Sequence, residues 1–216
     1  FRVSGTEQVV SVAGGQDPYA RQKAKALSRW KNRIEFALVR SDLASGASGS
    51  AQTMKGIQVT VTSHYTARLS GTSLSETEFN AMALDVATDV GADDVFDIVL
   101  TTLQLRQKIS TFTAGSTRYV DAEEMRLTRK VMVYESDFGV HRIFGHKDVS
   151  ISAATPGPRI LGLKEDKWRI SYLRPPTFKP LAVVGDRDNG QIVGEATLEF
   201  LAERANAQRS GYAYAG

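Results

Sequence analysis

The chain has 216 residues, of which 42% are hydrophobic and 24% are charged, as in an ordinary globular protein of one large or two small domains. Its net charge of +3 permits contact with nucleic acid but does not demand it. The absence of cysteine excludes disulfides, thiolate nucleophiles and cysteine-based zinc sites. No apolar run approaches the roughly 18 residues of a transmembrane helix, and the first residues lack the pattern of a signal peptide.

The first 43 residues predict a short strand or extended arm followed by one long helix. Weak alternation covers residues 1–16, and Asp17-Pro18 then supplies an N-cap with proline at the first helical position. Apolar spacings of three and four predict a helix to about Leu43. Its apolar face would consist of Ala20, Ala24, Leu27, Trp30, Ile34 and Leu38. The Gly/Ser-rich stretch 45–50 ends it and is a candidate subdomain boundary.

The middle of the chain predicts a local α/β pattern. Residues 57–66 have some strand character within a mostly loop segment. Ser75 and Glu78 predict a capping box at the start of a second helix, and Leu74 can pack on Phe79 as a hydrophobic staple. That helix ends at Gly91. A buried strand over Val95–Leu100 and a third helix over Thr102–Phe112 follow.

The last 90 residues have the texture of antiparallel strands. Lys130–Glu135 and Val140–Phe144 predict a hairpin, and Trp168–Leu173 predicts a strand that Arg174-Pro175-Pro176 would stop. Leu181–Val184 and Gln191–Phe200 are predicted to pair across a turn at Asp186–Gly190. Residues 198–209 could continue as strand or form a helix, and propensity favours the helix.

Motifs for chemistry are weak. There is no phosphate-binding loop. Asp137-Phe138-Gly139 spells a kinase magnesium motif without the rest of a kinase, so a hairpin turn explains it better. The calcium-like string Asp186–Gly190 lacks ligands in the required register. His64, His141 and His146 are each expected to be surface or interface residues, although a hydrolase using His64 or His141 stays a remote alternative. We therefore expect no catalytic, cofactor-binding or metal-binding residues.

The long helix carries basic residues around much of its circumference. Its bland interpretation is a solvated helix, and the sharper one is a surface near a polyanion. The candidates for a DNA-facing role are Arg21, Lys25, Arg29 and Arg33.

An ordered series of motifs marks the chain. It comprises Lys167–Pro175, Leu181-Ala182, Gly185-Asp186 and Gly194–Glu199. The series resembles the C-terminal portion of the tailed-phage major capsid proteins with the Johnson fold, which herpesvirus capsids and encapsulins share. Val133–Gly139 resembles the family's strand and turn, and Val3–Thr6 before the basic helix resembles its run into the spine helix.

The resemblance implies an α+β Johnson fold with a long spine helix, an antiparallel sheet in the peripheral (P) domain and a mixed α/β axial (A) domain. The expected segments are 1–56 (N-terminal strand and spine helix), 57–125 (mainly A domain), 126–185 (P-domain strands and return) and 186–216 (C-terminal strand and tail). The family's N-terminal arm and extended loop would lie upstream of Val3 and are expected to be missing from this sequence.

The resemblance also implies a function. The chain would be a non-enzymatic major capsid protein that assembles with itself, without cofactors, into hexamers and pentamers of an icosahedral head around double-stranded DNA. Scaffold, portal or decoration proteins are possible partners, and no membrane is implied. The expected location is the virion capsid, with assembly in the host cytoplasm. The alternatives are an encapsulin-like shell, distinguished by a protein cargo, and a sequence-independent DNA-binding module.

Overall fold

The computed structural model describes residues 1–10, 17–47, 49, 51–112, 133–149, 158–183 and 185–212. Within these ranges the helices are α1 (Gly5–Val9), α2 (Pro18–Arg40), α3 (Ile57–Thr60), α4 (Glu76–Val90) and α5 (Leu103–Phe112). The strands are β1 (Arg2–Ser4), β2 (Tyr65–Thr72), β3 (Ile98–Thr101), β4 (Val133–Ser136), β5 (Gly139–Gly145), β6 (Ile160–Leu163), β7 (Trp168–Leu181), β8 (Arg187–Phe200) and β9 (Ala207–Tyr212). The chain divides into two compact units, unit 1 (Phe1–Lys55 with Ile170–Glu199) and unit 2 (Gly56–Arg169 with Phe200–Gly216).

Unit 1 combines the long helix α2 with a three-stranded sheet in the order β1-β8-β7. The predicted N-cap of α2 is confirmed, because the Asp17 side chain accepts a hydrogen bond from Tyr19 N at 3.0 Å and Pro18 occupies the first turn. The helix ends at Arg40, a little before the predicted Leu43, and Ser41 is extended. The short predicted strand at the start of the chain is β1, and it pairs antiparallel with β8.

Two strand predictions in unit 1 are wrong. Arg174-Pro175-Pro176 does not end the strand, because β7 runs on to Leu181. The edge position of β7 explains this tolerance, since an edge strand pairs along one side only and proline lacks just the amide donor. Asn189-Gly190 is also not a turn: Asn189 pairs with Arg2 of β1, and the chain turns before Arg187 instead.

Unit 2 contains a six-stranded mixed sheet in the order β2-β9-β6-β3-β5-β4. The third strand in sequence, β3, lies inside the sheet, parallel to β5 and antiparallel to β6. Its core is built from α4, α5 and the sheet and includes Phe79, Met82, Phe96, Val99 and Ile143. Since β3 is flanked on both sides, the predicted buried strand near Val95–Leu100 is confirmed with its bounds shifted to Ile98–Thr101.

The start of α4 is close to the prediction. Ser75 Oγ accepts a hydrogen bond from Glu78 N at 3.2 Å, as an N-cap does. The Glu78 carboxylate pairs with Arg68, so the reciprocal half of a capping box is replaced by an ion pair. Leu74 and Phe79 are both buried in the same core, as the staple requires.

The predicted helix over residues 198–209 is wrong apart from one short turn. Strand β8 runs to Phe200, a 3-10 turn covers Glu203–Ala205, and β9 follows. Strand β9 pairs with both β2 and β6, and all six of its residues are buried. Pairing on both sides outweighs the helix propensity of this sequence. Residues 57–66 differ as well, since they begin as the short helix α3 before β2 starts at Tyr65.

The compact units do not follow the four segments expected from the sequence. The hairpin β4–β5 forms as predicted, with Tyr134 opposite His141. It belongs, however, to the same sheet as β3, because β5 pairs with β3 over Ile98–Thr101. Segment 126–185 is therefore shared between the two units. The start of the predicted hairpin at Lys130–Met132 lies outside the described residues.

Among the described helices, none combines the length and the apolar character that crossing a membrane would require.

Candidate functional site

An aromatic cluster holds α2 against the sheet of unit 1. Phe1, Tyr19 and Phe178 come from the chain start, α2 and β7, with ring centroids 5.4–6.2 Å apart. Lys23 Nζ lies 4.4 Å from the centroid of the Phe178 ring, in cation–π geometry. These contacts fix which side of α2 faces the sheet.

Two glycines of β8 let the helix and the opposite strand come close. A Cβ at Gly190 would lie 2.6 Å from an atom of Phe178, and one at Gly194 would lie 2.8 Å from an atom of Trp30. Both residues fall on one face of β8 because they are four positions apart. Gly194 opens the family-like motif Gly194–Glu199, so a packing requirement accounts for its first residue.

The predicted apolar face of α2 is only partly covered. Trp30, Ile34 and Leu38 are partly buried, whereas Ala20, Ala24 and Leu27 are exposed. Of the whole helix only Val39 is buried. A helix of 23 residues with so little buried surface leaves its other flanks available for contacts outside this chain.

The four candidate DNA-facing side chains are all exposed on α2. Arg21, Lys25, Arg29 and Arg33 are spaced by four residues, so each lies about 40° further round the helix and the set covers roughly a third of its circumference. Arg21 pairs with Glu7 at 3.7 Å. Among the described residues, Lys25, Arg29 and Arg33 have no ion-pair partner. We call these four residues the basic flank.

The acidic side chains of unit 2 are, in contrast, largely neutralised. Residues 76–97 contain seven acids and no lysine or arginine. Five of these acids form ion pairs with bases from elsewhere in unit 2. The pairs are Glu78–Arg68, Asp85–Arg209, Asp89–Arg204, Asp94–Lys167 and Asp97–Arg142. The excess of positive charge that lacks a local partner therefore lies on α2.

A polar cleft of about 480 Å³ in unit 2 contains one of the histidines. It is lined by Ser63, His64, Asp85, Thr88, Asp89 and Arg204. His64 Nε2 lies 3.3 Å from Asp89, which resembles part of a catalytic relay. The Ser63 hydroxyl, however, donates to Glu203, and the same carboxylate accepts hydrogen bonds from Thr62 N and Ser63 N. Ser63 is therefore not aligned with His64 for nucleophilic attack.

The Glu203 carboxylate gains stability from these contacts. Burial alone would raise its pKa, but the hydrogen bonds from Ser63 and Thr62 and the nearby His64 together lower it. The carboxylate thus ties the start of β2 to the turn before β9, a structural role.

The other two histidines are not equivalent. His141 is fully buried, so the expectation of a surface or interface position is wrong for it. Its place in β5 follows the strand alternation, in phase with buried Ile143, and this signal could have revealed it from the sequence. His146 is partly buried after the strand, and its Nδ1 accepts a hydrogen bond from Asp148 N at 3.1 Å.

Sequence reasoning also missed Asn206. This side chain is fully buried and makes four hydrogen bonds: Oδ1 accepts from Lys164 N and Trp168 Nε1, and Nδ2 donates to Ala202 O and Glu203 O. No short motif indicates such a residue, because its partners come from three separate segments. Asn206 joins the ends of β6, β8 and β9.

Comparison with known proteins identifies the family. A sequence model described as SU10 major capsid protein matches residues 1–212. No curated protein matches the chain.

Several solved structures share the fold. The holo-SrpI encapsulin complex from Synechococcus elongatus PCC 7942 superimposes with a TM-score of 0.63 at 10% identity, covering 100% of this chain and 72% of that one. The capsid of an empty GTA particle gives 0.67 at 8% identity, covering 98% and 71%. The capsid of Myoviridae phage XM1 gives 0.62 at 13% identity, also covering 98% and 71%.

These likenesses confirm the predicted α+β Johnson fold, and the family match separates a phage capsid from an encapsulin. The chain belongs to the SU10 major capsid protein family and is a self-assembling building block of a tailed-phage virion capsid.

Proposed function

We propose that this subunit tiles an icosahedral head as hexamers and pentamers, with the basic flank of α2 directed at packaged double-stranded DNA. The observation that supports the inward direction is the contrast in charge neutralisation. The acids of unit 2 are paired locally, whereas Lys25, Arg29 and Arg33 have no ion-pair partner among the described residues. Cations without local partners favour contact with a polyanion, and such contacts need no base sequence.

We further propose that unit 1 is the P domain and unit 2 the A domain. The long helix beside a sheet of long strands in unit 1 matches the spine-helix pattern that the resemblance implies. In this assignment β4, β5 and β6 belong to the A domain, in place of the P-domain position expected for 126–185. The protein would act without catalysis, as the engagement of Ser63 by Glu203 also suggests.

The direction of α2 can be tested with single-cysteine variants, because the chain has no cysteine of its own. Arg29→Cys would carry a thiol-linked photocrosslinker on the basic flank. Thr197→Cys, exposed on β8, is the matched control because it lies out of phase with the helix-facing Gly190 and Gly194. In DNA-filled heads we expect crosslinks to DNA from position 29 and few from position 197. Equal crosslinking from both, or none from position 29, would contradict the proposed direction.

Charge can be tested independently of labelling. The triple variant Lys25→Gln, Arg29→Gln and Arg33→Gln should weaken DNA binding by the purified chain. Each lost phosphate contact should lower the slope of log binding constant against log salt concentration by about 0.9. A control triple at Arg2, Lys179 and Arg187 removes the same charge elsewhere in unit 1 and should leave the slope nearly unchanged.

The same particles separate the two alternatives. An encapsulin-like shell would contain protein cargo in place of a genome. A DNA-binding module would bind DNA tightly as a monomer and form no shell.

A further inference from the structure

His141 occupies an aromatic cage in the core of unit 2. Its ring centroid lies 5.5 Å from that of Phe79 and 4.8 Å from that of Phe96. Tyr134 stands directly opposite in the β4–β5 pair. The side chain has no exposure to solvent. Such surroundings replace water with a medium in which a charged imidazole is disfavoured.

Hydrogen bonds define the neutral tautomer of this ring. Nδ1 lies 2.9 Å from Phe96 O, and a carbonyl oxygen only accepts, so Nδ1 carries the hydrogen and donates it. In a neutral ring Nε2 is then the acceptor, and it receives the hydroxyl hydrogen of Ser136 at 2.8 Å. Neutral His141 is thus fully satisfied and ties β5 both to β4 and to the segment before β3.

A proton taken from water can be placed on Nε2 without moving a heavy atom. Nε2 would then donate to Ser136 Oγ, which also accepts from Phe138 N at 3.2 Å. The hydroxyl can turn its own hydrogen to Gly139 O, also at 3.2 Å. Because the hydrogen bonds can be rearranged, the cost of protonation is the burial of the charge itself.

The charged groups around His141 offset little of that cost. On the β3 side, the Asp97 carboxylate accepts from Glu165 N at 2.9 Å and lies 3.9 Å from Arg142. On the α4 and β4 side, Tyr134 donates its hydroxyl to Glu76. Asp137, in the β4–β5 turn, is the remaining acid of the hairpin beside Glu135. Within the described part of the chain, no carboxylate forms an ion pair with the His141 ring.

Burial therefore dominates the pKa of His141 and lowers it below its usual 6.5, although the Phe96 hydrogen bond and the charge of Asp97 act the other way. The aromatic rings can also offset part of the cost through cation–π attraction, which is worth about 0.5–2 kcal/mol. That is less than the several kcal/mol that burying an ion costs.

We propose that His141 is an acid-sensitive lock, whose protonation weakens unit 2 and releases the β4–β5 hairpin from its sheet. The hairpin is suited to such release because β4 is an edge strand and β5 has β3 as its other neighbour. The inference concerns the fold of one subunit and stands apart from how subunits tile the shell.

The direction of the pH effect follows from linkage. The unfolded chain binds the proton near pH 6.5, whereas folded His141 binds it only at lower pH. The contribution of His141 to stability is therefore complete above about pH 6.5 and is lost as the pH falls toward the lowered pKa. A single proton can reduce the folding constant by at most about tenfold per pH unit in that window.

The chain offers a reporter for this test, because its two tryptophans lie in different units, Trp30 in unit 1 and Trp168 in unit 2. In a Trp30→Phe background, urea unfolding followed by Trp168 fluorescence reports on unit 2. From pH 8 to pH 5 we expect the folding constant of this background protein to fall. His141→Phe should flatten the fall, whereas His64→Gln should retain it.

Nuclear magnetic resonance of the His141 ring nitrogens in the unmutated chain gives a second readout that does not depend on the fold of a variant. The ring should be neutral and protonated on Nδ1 at pH 6.5, and the β5 amides should lose hydrogen-exchange protection as the ring titrates. A ring half-protonated at or above pH 6.5 would overturn the proposal. So would a folded His141→Phe variant whose pH dependence equals that of the background protein.

Discussion

Replacement of Asn206 by alanine should destabilise unit 2 strongly. The side chain is fully buried and joins three segments through hydrogen bonds of 2.7–3.2 Å. Alanine removes all four hydrogen bonds and leaves two donors and two carbonyls without this partner. At about 1 kcal/mol net for each bond, the loss would be about 4 kcal/mol. Water can reach some of the partly buried partners, so we expect a decrease of about 3–4 kcal/mol in the free energy of unfolding.

The assay is urea unfolding in the Trp30→Phe background, with Trp168 as the reporter. Trp168 loses its own hydrogen-bond acceptor in the variant, so its emission should also shift to the red in the folded state. Asn32→Ala is the matched control: it makes the same chemical change at an exposed position of α2 and should alter stability by less than about 0.5 kcal/mol.

A second variant separates the two halves of the Asn206 amide. Asn206→Asp keeps an acceptor for Lys164 N and Trp168 Nε1 but turns an oxygen toward two carbonyl groups. It should be at least as unstable as the alanine variant at neutral pH, because the ionised carboxylate cannot donate. A decrease of less than about 1 kcal/mol for Asn206→Ala would refute the assignment of this residue as a structural joint.

Two further variants test unit 1 and the turn before β9. Gly194→Val places a side chain where a Cβ would lie 2.8 Å from Trp30, so it should destabilise unit 1 by about 1–3 kcal/mol by Trp30 fluorescence, unlike Thr197→Val on the same strand; an unchanged midpoint would show that the helix can move away freely. Glu203 has a lowered pKa, so its contribution is present above about pH 4.5 and is lost as the pH falls through that lowered value. Glu203→Gln should flatten this acid-induced loss, and the exposed Glu135→Gln should not; equal curves for both variants would contradict the role given to Glu203.

Local signals in the sequence predicted the helices well. The Asp17-Pro18 start of α2 and the Ser75 cap of α4 depend on residues within one turn, so no distant partner is needed to recognise them. The β4–β5 hairpin is local in the same sense.

Predictions that depend on distant partners failed. Asn189-Gly190 is a strong local turn signal, yet residues 2–4 pair with this stretch and extend it as a strand. Pro175 and Pro176 would interrupt an inner strand, and only the edge position of β7 shows why they do not. In each case the sheet order, which the sequence does not reveal, decides the outcome.

The candidate site shows the same division. The exposure of Arg29 and its neighbours on α2 followed from helical spacing, since a long helix with many basic residues cannot bury them all. The core position of His141 was missed because histidine was judged by its polarity, although the alternation of β5 placed it in phase with Ile143.

Electron cryomicroscopy of DNA-filled heads that contain this protein tests the central claim most directly. The account predicts a closed icosahedral shell in which copies of this chain form hexamers and pentamers. Unit 1 should fit the shell density with Lys25, Arg29 and Arg33 facing the DNA. A protein that stays monomeric under all assembly conditions, or a shell lattice built from another chain, would contradict the account.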